Sequence, residues 1–408
     1  MPTQSSSESH KADRGDYVIS SKGIVAYSAH DWRLESLFTR EPAEDEFLVE
    51  LIATGVCHTD ITGYGNIYPR VLGHEGAGRI LKLGSTKQEA HFSVGDLVIL
   101  SAASCQACLY CTTGHPAYCV NHAAVTLHAN EPAFIVAGDD SVSEPLKVIG
   151  GGYFGQSSFA SPTCVKLSCA SNVSRSGLVS SAADLKRFAP LGCGIMTGAG
   201  AITHVGYCKE GDVVGIVGLG GVGLAGVCAA KAAGVKDIVA IDLLKSRVDL
   251  ALSMGATIGV ISHPDVLKEK GFEGDDALQS AIRAVTPQKL GCTHILDTSP
   301  SVAVLASCLE AIRSNGTVLL VGVKKGKSDG EAAALEVDLL KHMVAGRRLV
   351  GVIEGDRDPT VALPELVQWC KDGVLPVEKL LKEYPLAEFE KAREAMEKGE
   401  VIKAVLVW

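Results

Sequence analysis

The chain has 408 residues, of which 47% are hydrophobic and 21% charged, with a net charge of −9 at pH 7. This is the composition of a folded globular protein of about two domains, and its acidic balance argues against a nucleic-acid-binding face. No apolar run approaches the ~18 residues of a membrane span, and the polar opening has no signal-peptide core, so we expect a cytoplasmic protein with no membrane partner. In that compartment the 13 cysteines are expected to be metal ligands, nucleophiles or core residues rather than disulfides.

The first half of the chain is predicted to consist of short strands and loops. Residues 1–16 are polar and are expected to form a flexible tail. From Tyr17 to about Pro190, short apolar segments such as Glu46–Ala53 are broken by Gly, Pro, Asp and Ser, a pattern typical of strands joined by loops. Ser171–Arg187 looks helical and leads into a glycine-rich segment.

Four cysteines in this half lie close together in the sequence. Their spacing is C-x2-C-x2-C-x7-C, formed by Cys105, Cys108, Cys111 and Cys119. Four thiolates at this spacing suit a tetrahedral zinc ion in a closed structural site. An iron–sulfur cluster also takes four cysteines, but nothing else in the sequence suggests electron transfer.

A second set of metal-binding residue types is spread along the chain. It comprises Cys57 in GVCHTD, His74 in GHEG and Cys193 in LGCG, each in a glycine-containing motif in which the backbone can bend. Two thiolates and one imidazole leave one position of a tetrahedral metal open for water or substrate, as in a catalytic site.

From Asp212 the pattern changes to alternating strands and helices. Val213–Val217 is an apolar strand, an Ala-rich helix runs to Ala233, and a second strand follows at Ile238–Ile241. This alternation predicts a parallel sheet built from βαβ units.

The first strand-to-helix turn carries a nucleotide-binding pattern. Gly218-Leu-Gly220-Gly221-Val222-Gly223 fits G-x-G-x-x-G, with a strand directly before it and a helix directly after it. Such glycines let the backbone approach a pyrophosphate at the helix N-terminus. Asp242 ends the second strand, where a carboxylate accepts hydrogen bonds from ribose hydroxyls and disfavours a 2′-phosphate, so NAD is predicted over NADP. Arg247, five residues on, could soften that preference.

With these motifs in place, the chain resembles the zinc-dependent medium-chain alcohol dehydrogenases along nearly all of its length after the tail. The cysteine run, GHEG, LGCG, GLGGVG and the aspartate occur in that family's order. Two cysteines and one histidine are the established catalytic ligands of alcohol dehydrogenase, so this match is taken from the family. The likeness is closest to aryl-alcohol (benzyl-alcohol-type) dehydrogenases, on YFGQSSFA (Tyr153–Ala160), PLGCGIMTGAG (Pro190–Gly200) and GVIEGD (Gly351–Asp356).

The resemblance implies an α/β fold in which one domain interrupts the other. Residues 17–194 plus 354–408 would form a catalytic domain folded as a GroES-like β-barrel. Residues 195–353 would form an inserted Rossmann domain with a doubly wound parallel sheet. The catalytic zinc would lie in the cleft between them.

The resemblance also implies roles for single residues around the cleft. Asp60 would orient a zinc ligand, and Glu75 would lie behind the metal. The cofactor contacts would be His58 and Lys403 to the pyrophosphate, Thr197 and Val222 to the nicotinamide, and Val321 and Val323 along its site.

The implied reaction transfers a hydride from an alcohol to NAD+ while Thr59 relays the hydroxyl proton, since a hydroxyl both donates and accepts. Many members of the family have a histidine where this chain has Thr62, which cannot act as a base near neutral pH, so the proton is expected to leave through ribose hydroxyls and water.

Ser101 stands where a large aromatic residue is common in the family, and the smaller side chain favours a bulky or aromatic primary alcohol over ethanol. The expected pocket residues are Tyr64, Tyr68, Ser101, Tyr153 and Phe154.

We therefore predict a zinc-dependent, NAD(H)-linked oxidoreductase that interconverts a primary alcohol and its aldehyde, with one catalytic and one structural zinc per chain. A homodimer or homotetramer is expected, in which Leu349–Ile353 extends a sheet across subunits. The alternatives are an NAD(P)H-dependent reductase of a conjugated C=C bond or iminium, an NADH-sensing protein without activity, and a glutathione-dependent formaldehyde dehydrogenase. The complete ligand and relay set argues against the first two, and the aryl-type motifs argue against the third.

Overall fold

The computed structural model describes residues 15–62, 67–137, 147–326 and 331–408, so most of the predicted tail lies outside the described residues. The strands are β1 (Tyr17–Ala26), β2 (Trp32–Arg40), β3 (Glu46–Gly55), β4 (Arg70–Val71), β5 (Gly76–Leu83), β6 (Leu97–Leu100), β7 (Glu131–Val136), β8 (Val148–Gly151), β9 (Ala160–Ser161), β10 (Thr163–Lys166), β11 (Ala170–Asn172), β12 (Val213–Val217), β13 (Asp237–Asp242), β14 (Ile258–Ile261), β15 (Cys292–Asp297), β16 (Ile312–Leu320), β17 (Arg348–Gly351), β18 (Leu381–Pro385) and β19 (Lys403–Val407). The α-helices are α1 (His58–Ile61), α2 (Leu109–Thr112), α3 (His122–Val125), α4 (Leu185–Phe188), α5 (Gly194–Gly200), α6 (Gly221–Ala232), α7 (Lys245–Met254), α8 (Pro264–Glu269), α9 (Ala277–Ala284), α10 (Val302–Ala311), α11 (Leu339–Ala345), α12 (Pro359–Lys371) and α13 (Phe389–Glu397).

Two of the sheets are built from the segments that are predicted to form the catalytic domain. In the first, β1, β2, β7, β8 and β4 pair in a ring that closes on itself, and β9 adds to β1. The second runs in the order β11-β6-β5-β3-β19-β18, with β10 also paired to β3. Because β19 at the C-terminal end pairs antiparallel with β3, the two distant parts of the chain share one sheet.

The third sheet is the inserted domain. Its six strands, β12 to β17, are all parallel and lie in the spatial order β14-β13-β12-β15-β16-β17. The central strand β12 has the sequence VVGIV and is buried throughout, as expected for a parallel strand covered by helices on both faces. This order, with β12 at the reversal point, places the loop after β12 where open α/β sheets bind their ligands.

The helix predicted over Ser171–Arg187 is largely wrong. Residues 170–172 form β11, and helical structure begins only with a 3-10 turn at Ala182–Asp184 that continues into α4. The intervening segment is rich in serine and turns at Gly177, whose φ is +70°. Serine side chains bond the local backbone here, as Ser176 does to Val173 O, and this competes with helix formation.

Helix α5, at the start of the predicted inserted domain, packs on α6. A Cβ built on Gly194 would lie 3.2 Å from Val222 Cγ2, and one on Gly198 would overlap Val222 O, so the absence of side chains lets the two backbones approach. Helix α5 starts directly after Cys193, and α6 starts in the glycine loop. The junction therefore brings a predicted metal ligand close to the predicted nucleotide loop.

No single helix among the described residues is both long and apolar enough to cross a membrane. One bent pair of helices, Ala182–Gly192 with Gly194–Val205, is long and apolar enough when the two are taken together, by length and composition alone.

Candidate functional site

A short helix places two of the residues of the predicted catalytic site. Cys57 is the N-cap of α1, and Asp60 at the third helical position accepts a hydrogen bond from Cys57 N at 3.0 Å. The other oxygen of the buried Asp60 carboxylate accepts from Gly73 N at 3.2 Å and contacts His74 Nδ1 at 2.8 Å. One carboxylate thus fixes both chain segments and orients the imidazole so that Nε2 faces the cysteines, the arrangement that usually supports a metal-binding histidine.

The three predicted catalytic ligands come together at metal-binding distances. Cys57 Sγ lies 4.0 Å from Cys193 Sγ, which lies 3.4 Å from His74 Nε2. Around a tetrahedral zinc with ordinary bond lengths, two sulfurs stand about 3.8 Å apart, and a sulfur and a nitrogen about 3.6 Å. The donor set and its spacing therefore fit zinc, and a carboxylate oxygen of Glu75 also lies within 4.8 Å of these ligand atoms.

The hydrogen bond between the two thiols makes them inequivalent. It holds the pKa of Cys57 well below its ordinary value, with support from Lys403 and His74 despite the burial of the thiol. The same hydrogen bond, together with burial, raises the pKa of Cys193. A metal bound at this pair would require both thiols to be deprotonated.

A buried ion pair lies behind this cluster. Lys403 Nζ donates to Glu75 Oε1 at 2.7 Å and to Val56 O at 3.2 Å, and both charged side chains are almost completely buried. Burial raises the pKa of Glu75 to about 7, against the opposing charge of Lys403. Lys403 was predicted to contact a pyrophosphate. In this structure its ammonium group binds Glu75, while its Cε lies 3.8 Å from a Cβ built on Gly221, so the pyrophosphate contact stays a prediction.

Aromatic rings and a glutamine enclose the imidazole. Phe154 stacks on His74 with ring centroids 4.5 Å apart, and Tyr153 meets it edge-on at 5.8 Å. Gln156 is completely buried and donates from Nε2 to His74 O at 2.9 Å and to Ser101 O at 2.7 Å. The sequence analysis quoted Gln156 in YFGQSSFA without giving it a role, because its partners lie far away in the chain.

The structure describes two of the three remaining predicted pocket residues, Ser101 and Tyr68. Ser101 is completely buried and donates to Gly192 O at 2.6 Å, beside Cys193, so it braces the segment that holds a ligand. Its predicted effect on pocket width stays a prediction. Tyr68 is half-buried, and Tyr64 lies outside the described residues.

The predicted relay hydroxyl stands next to the cluster. Thr59 Oγ1 lies 3.7 Å from Cys57 Sγ and is half-buried. His58, the first residue of α1, and Thr62, which follows its last residue, are both exposed.

The four closely spaced cysteines also converge. Cys108 Sγ lies 3.5 Å and Cys105 Sγ 3.9 Å from Cys111 Sγ, and all four sulfurs, including that of Cys119, lie within 4.8 Å of one another. Hydrogen bonds from the backbone amides of Ala107 and Cys108 lower the pKa of Cys105 to about 6. Four sulfurs at these distances, one of them a thiolate near neutral pH, fit a closed tetrahedral zinc site.

The glycine loop has the shape of a dinucleotide cradle. Gly218 has φ +85° and makes the tight turn, while a Cβ on Gly223 would overlap Gly218 O. A Cβ on Gly220 would meet no atom within 4 Å, so this position faces open space at the N-terminus of α6. Asp242 accepts from Leu219 N at 2.7 Å and is thereby held at the loop. These three glycines match the tight turn, close approach and close packing that pyrophosphate binding requires.

The structure also places the other predicted cofactor residues. Val222 lies against Gly194 as described, the Thr197 hydroxyl donates to Cys193 O at 2.9 Å, and Val321 directly follows β16. Val323 is largely exposed. Arg247 instead donates to Gly399 O at 2.8 Å, which ties α7 to the catalytic domain, so its predicted influence on cofactor choice stays a prediction.

Comparison with known proteins shows the family to which the chain belongs. Residues 43–166 match the family model described as alcohol dehydrogenase GroES-like domain, and residues 221–372 match zinc-binding dehydrogenase. Geraniol dehydrogenase of Castellaniella defragrans is 32% identical over 97% of this chain and 100% of its own length. A solved alcohol dehydrogenase zinc-binding domain protein from Burkholderia ambifaria is 32% identical with a TM-score of 0.82, over 95% of this chain and 98% of its own. Solved benzyl alcohol dehydrogenase from Acinetobacter calcoaceticus is 29% identical with a TM-score of 0.80, over 96% and 99%.

The closed barrel, the inserted parallel sheet and the two ligand clusters define a zinc-binding, two-domain dehydrogenase of the GroES-like and Rossmann type. The chain belongs to the zinc-dependent alcohol dehydrogenase family. The predicted family and fold class are thereby confirmed.

Proposed function

We propose that this protein interconverts an aromatic or otherwise bulky primary alcohol and its aldehyde, with NAD+ and NADH as the hydride acceptor and donor. The single observation that carries the proposal is the three-ligand cluster of Cys57, His74 and Cys193, with the Thr59 hydroxyl beside it. Three protein ligands leave a fourth tetrahedral position for a substrate oxygen.

The chain's own residues supply positioning and proton handling. Zinc, when bound, supplies a Lewis acid that acts on the substrate oxygen. The Thr59 hydroxyl is placed to accept the alcohol proton while it donates its own onward. Asp60 contacts the His74 imidazole at Nδ1, and Gln156 donates a hydrogen bond to the backbone carbonyl of His74. Together they hold the ring in place, which limits its reorganisation during the reaction.

The cofactor is proposed to lie along the glycine loop. Gly220 leaves room for a pyrophosphate at the N-terminus of α6, and Asp242 is held where a ribose would follow. A carboxylate at this place repels a 2′-phosphate, which favours NAD over NADP.

The proposed preference for a bulky or aromatic alcohol rests on the aromatic rings packed around His74. Tyr153 and Phe154 cover His74 with two rings, whose centroids are 4.8 Å apart. Apolar walls of this kind favour substrates with an extended π-system or hydrocarbon body. Relatives named for geraniol and benzyl alcohol point in the same direction.

The test is a panel of benzylic, allylic and short aliphatic alcohols with NAD+ and NADP+, followed by the absorbance of the reduced cofactor. We expect the highest kcat/KM with a benzylic or allylic alcohol and NAD+. A higher kcat/KM with ethanol would contradict the proposed substrate class, and equal use of NADP+ would contradict the cofactor. Reduction of an enal at its C=C bond rather than at its aldehyde would favour the alternative reductase.

A further inference from the structure

The chain returns from the inserted domain to the catalytic domain through an unusual turn. Glu354, Gly355 and Asp356 have φ values of +52°, +68° and +50°, so three consecutive residues occupy the left-handed region. Two of the three are not glycine, and such residues adopt this conformation only where the surroundings hold them there. The turn is therefore held in place by the residues packed around it.

One side of the turn lies against α5. A Cβ built on Gly355 would lie 2.7 Å from Met196 O and 2.8 Å from Gly200 Cα, so its backbone touches the helix backbone directly. Helix α5 starts immediately after Cys193 and carries Thr197. The turn therefore packs on the helix that begins directly after Cys193.

The other side of the turn is held by the cysteine lobe, which we define as residues 105–119. His115 Nδ1 contacts both carboxylate oxygens of Asp356, at 2.8 and 3.0 Å, and the Asp356 side chain is only 13% exposed. A second bond runs from Tyr118 Oη to Gly351 O at 3.2 Å. His115 lies between Cys111 and Cys119 in sequence, so the position of the turn is linked to the fold of the lobe.

We propose that His115 and Asp356 are positioning residues for the catalytic metal centre. The pair locks the turn, and the turn fixes the start of α5 and with it Cys193. The cysteine lobe thus supports Cys193 through the side-chain contact between His115 and Asp356 and the backbone contact between Gly355 and α5, in addition to any stability that it gives. This inference rests on the proposed function in that Cys57, His74 and Cys193 hold a catalytic metal.

The test uses Asp356→Asn and His115→Gln in the full-length, zinc-loaded protein. Asparagine tolerates the left-handed conformation and keeps an acceptor oxygen, so the substitution removes the charge with little change in shape. Asp265→Asn is the matched control, because Asp265 faces His263 at 3.7 Å on an exposed surface of the inserted domain. The measurements are the rate at which a chelator removes each zinc ion, the spectrum of cobalt placed at the catalytic ligands, the melting temperature, and kcat and KM.

We expect both variants to lose the catalytic-site metal several times faster than the control and to show a shifted cobalt spectrum. We also expect kcat to fall about tenfold with little change in KM, which is less than the roughly 10²-fold loss that a 1 Å misplacement at a reacting centre can cause. The melting temperature and the cysteine-lobe metal should match wild type, and the double variant should be no worse than Asp356→Asn alone.

Two results would overturn the proposal. One is metal release and kcat equal to those of the control, and the other is earlier loss of the cysteine-lobe metal, which would make the pair a support of the lobe alone. If Asp356→Asn fails to fold, His115→Gln decides, because His115 is nearly half exposed. The rate of metal release can be measured without turnover. If the wild-type protein had no alcohol dehydrogenase activity, the proposed function would be contradicted, but the metal-release test of His115 and Asp356 would still be valid.

Discussion

Lys403 and Glu75 form an ion pair at 2.7 Å whose side chains are 7% and 0% exposed and which lies directly behind the proposed catalytic ligands. The two residues are 328 positions apart, so the pair joins the last strand of the chain to the GHEG segment. A buried pair adds little net stability, but loss of one partner leaves an uncompensated charge.

Lys403→Met is therefore expected to lower the free energy of unfolding by roughly 3–5 kcal/mol, as measured by denaturant titration. Lys82→Met is the control, since it breaks the exposed pair with Glu41 and should cost about 0–1 kcal/mol. Equal effects of the two substitutions would show that the buried carboxylate finds another partner.

The glycine loop predicts opposite outcomes for two similar substitutions. Gly220→Ala adds a Cβ into open space, so folding should be unaffected while the Kd for NADH rises about tenfold or more, a loss of about 1.4 kcal/mol per factor of ten. Gly223→Ala meets Gly218 O and should destabilise the fold by about 1–3 kcal/mol. The measurements are a fluorescence titration with NADH and a thermal melt. Unchanged NADH affinity in folded Gly220→Ala would place the pyrophosphate elsewhere.

The loop and both ligand clusters could be predicted from the sequence because each has a local signature. The cysteine spacing, GHEG, LGCG and the glycine pattern are short motifs in which chemistry and backbone geometry coincide. Gln156, the partner of Lys403 and the contact between His115 and Asp356 could not be predicted. Each depends on a pairing between distant segments that leaves no periodic signal in the chain, and the last spans 241 positions. The helix predicted over Ser171–Arg187 is largely wrong for the opposite reason. Hydrogen bonds from serine side chains to the nearby backbone compete there with the helix that the residue pattern indicated.

The cysteine lobe should lose its metal in mild acid. Backbone amides lower the pKa of Cys105 to about 6, so its thiolate is present above this pH and is lost as the pH falls through it. Metal binding requires the thiolate, and a bound ion competes with protons. We expect zinc release to begin below about pH 6, measured with a chromogenic chelator. Cys105→Ser should lose one zinc per chain at neutral pH, whereas Cys370→Ser should retain both. Two zinc ions per chain in Cys105→Ser would contradict the assignment.

The relay role of Thr59 predicts a kinetic defect without a binding defect. Thr59→Val keeps the shape of the side chain and removes the hydroxyl, so kcat should fall roughly 10²-fold, the scale of lost acid–base assistance. Thr59→Ser retains the hydroxyl and should stay within a few-fold of wild type. Zinc content and NADH affinity are measured alongside and should not change in either variant. Near-normal turnover of Thr59→Val would remove this residue from the proton path.

The surface next to the edge strand of the inserted sheet predicts self-association. Strand β17 is the last strand of that sheet, and α11 beside it exposes an apolar face of Leu339, Leu340, Met343 and Val344, each at least 66% exposed. An apolar patch beside the edge strand of a sheet is suited to a second copy of the same chain, whose β17 could continue the sheet antiparallel. We expect light scattering with size-exclusion chromatography to give a dimer or tetramer for wild type, and a smaller species for Leu340→Glu combined with Val344→Glu. Val361→Glu, at an exposed apolar position in α12, is the control and should keep the wild-type mass. A wild-type monomer, or a double variant of unchanged mass, would show that this face does not hold the subunits together.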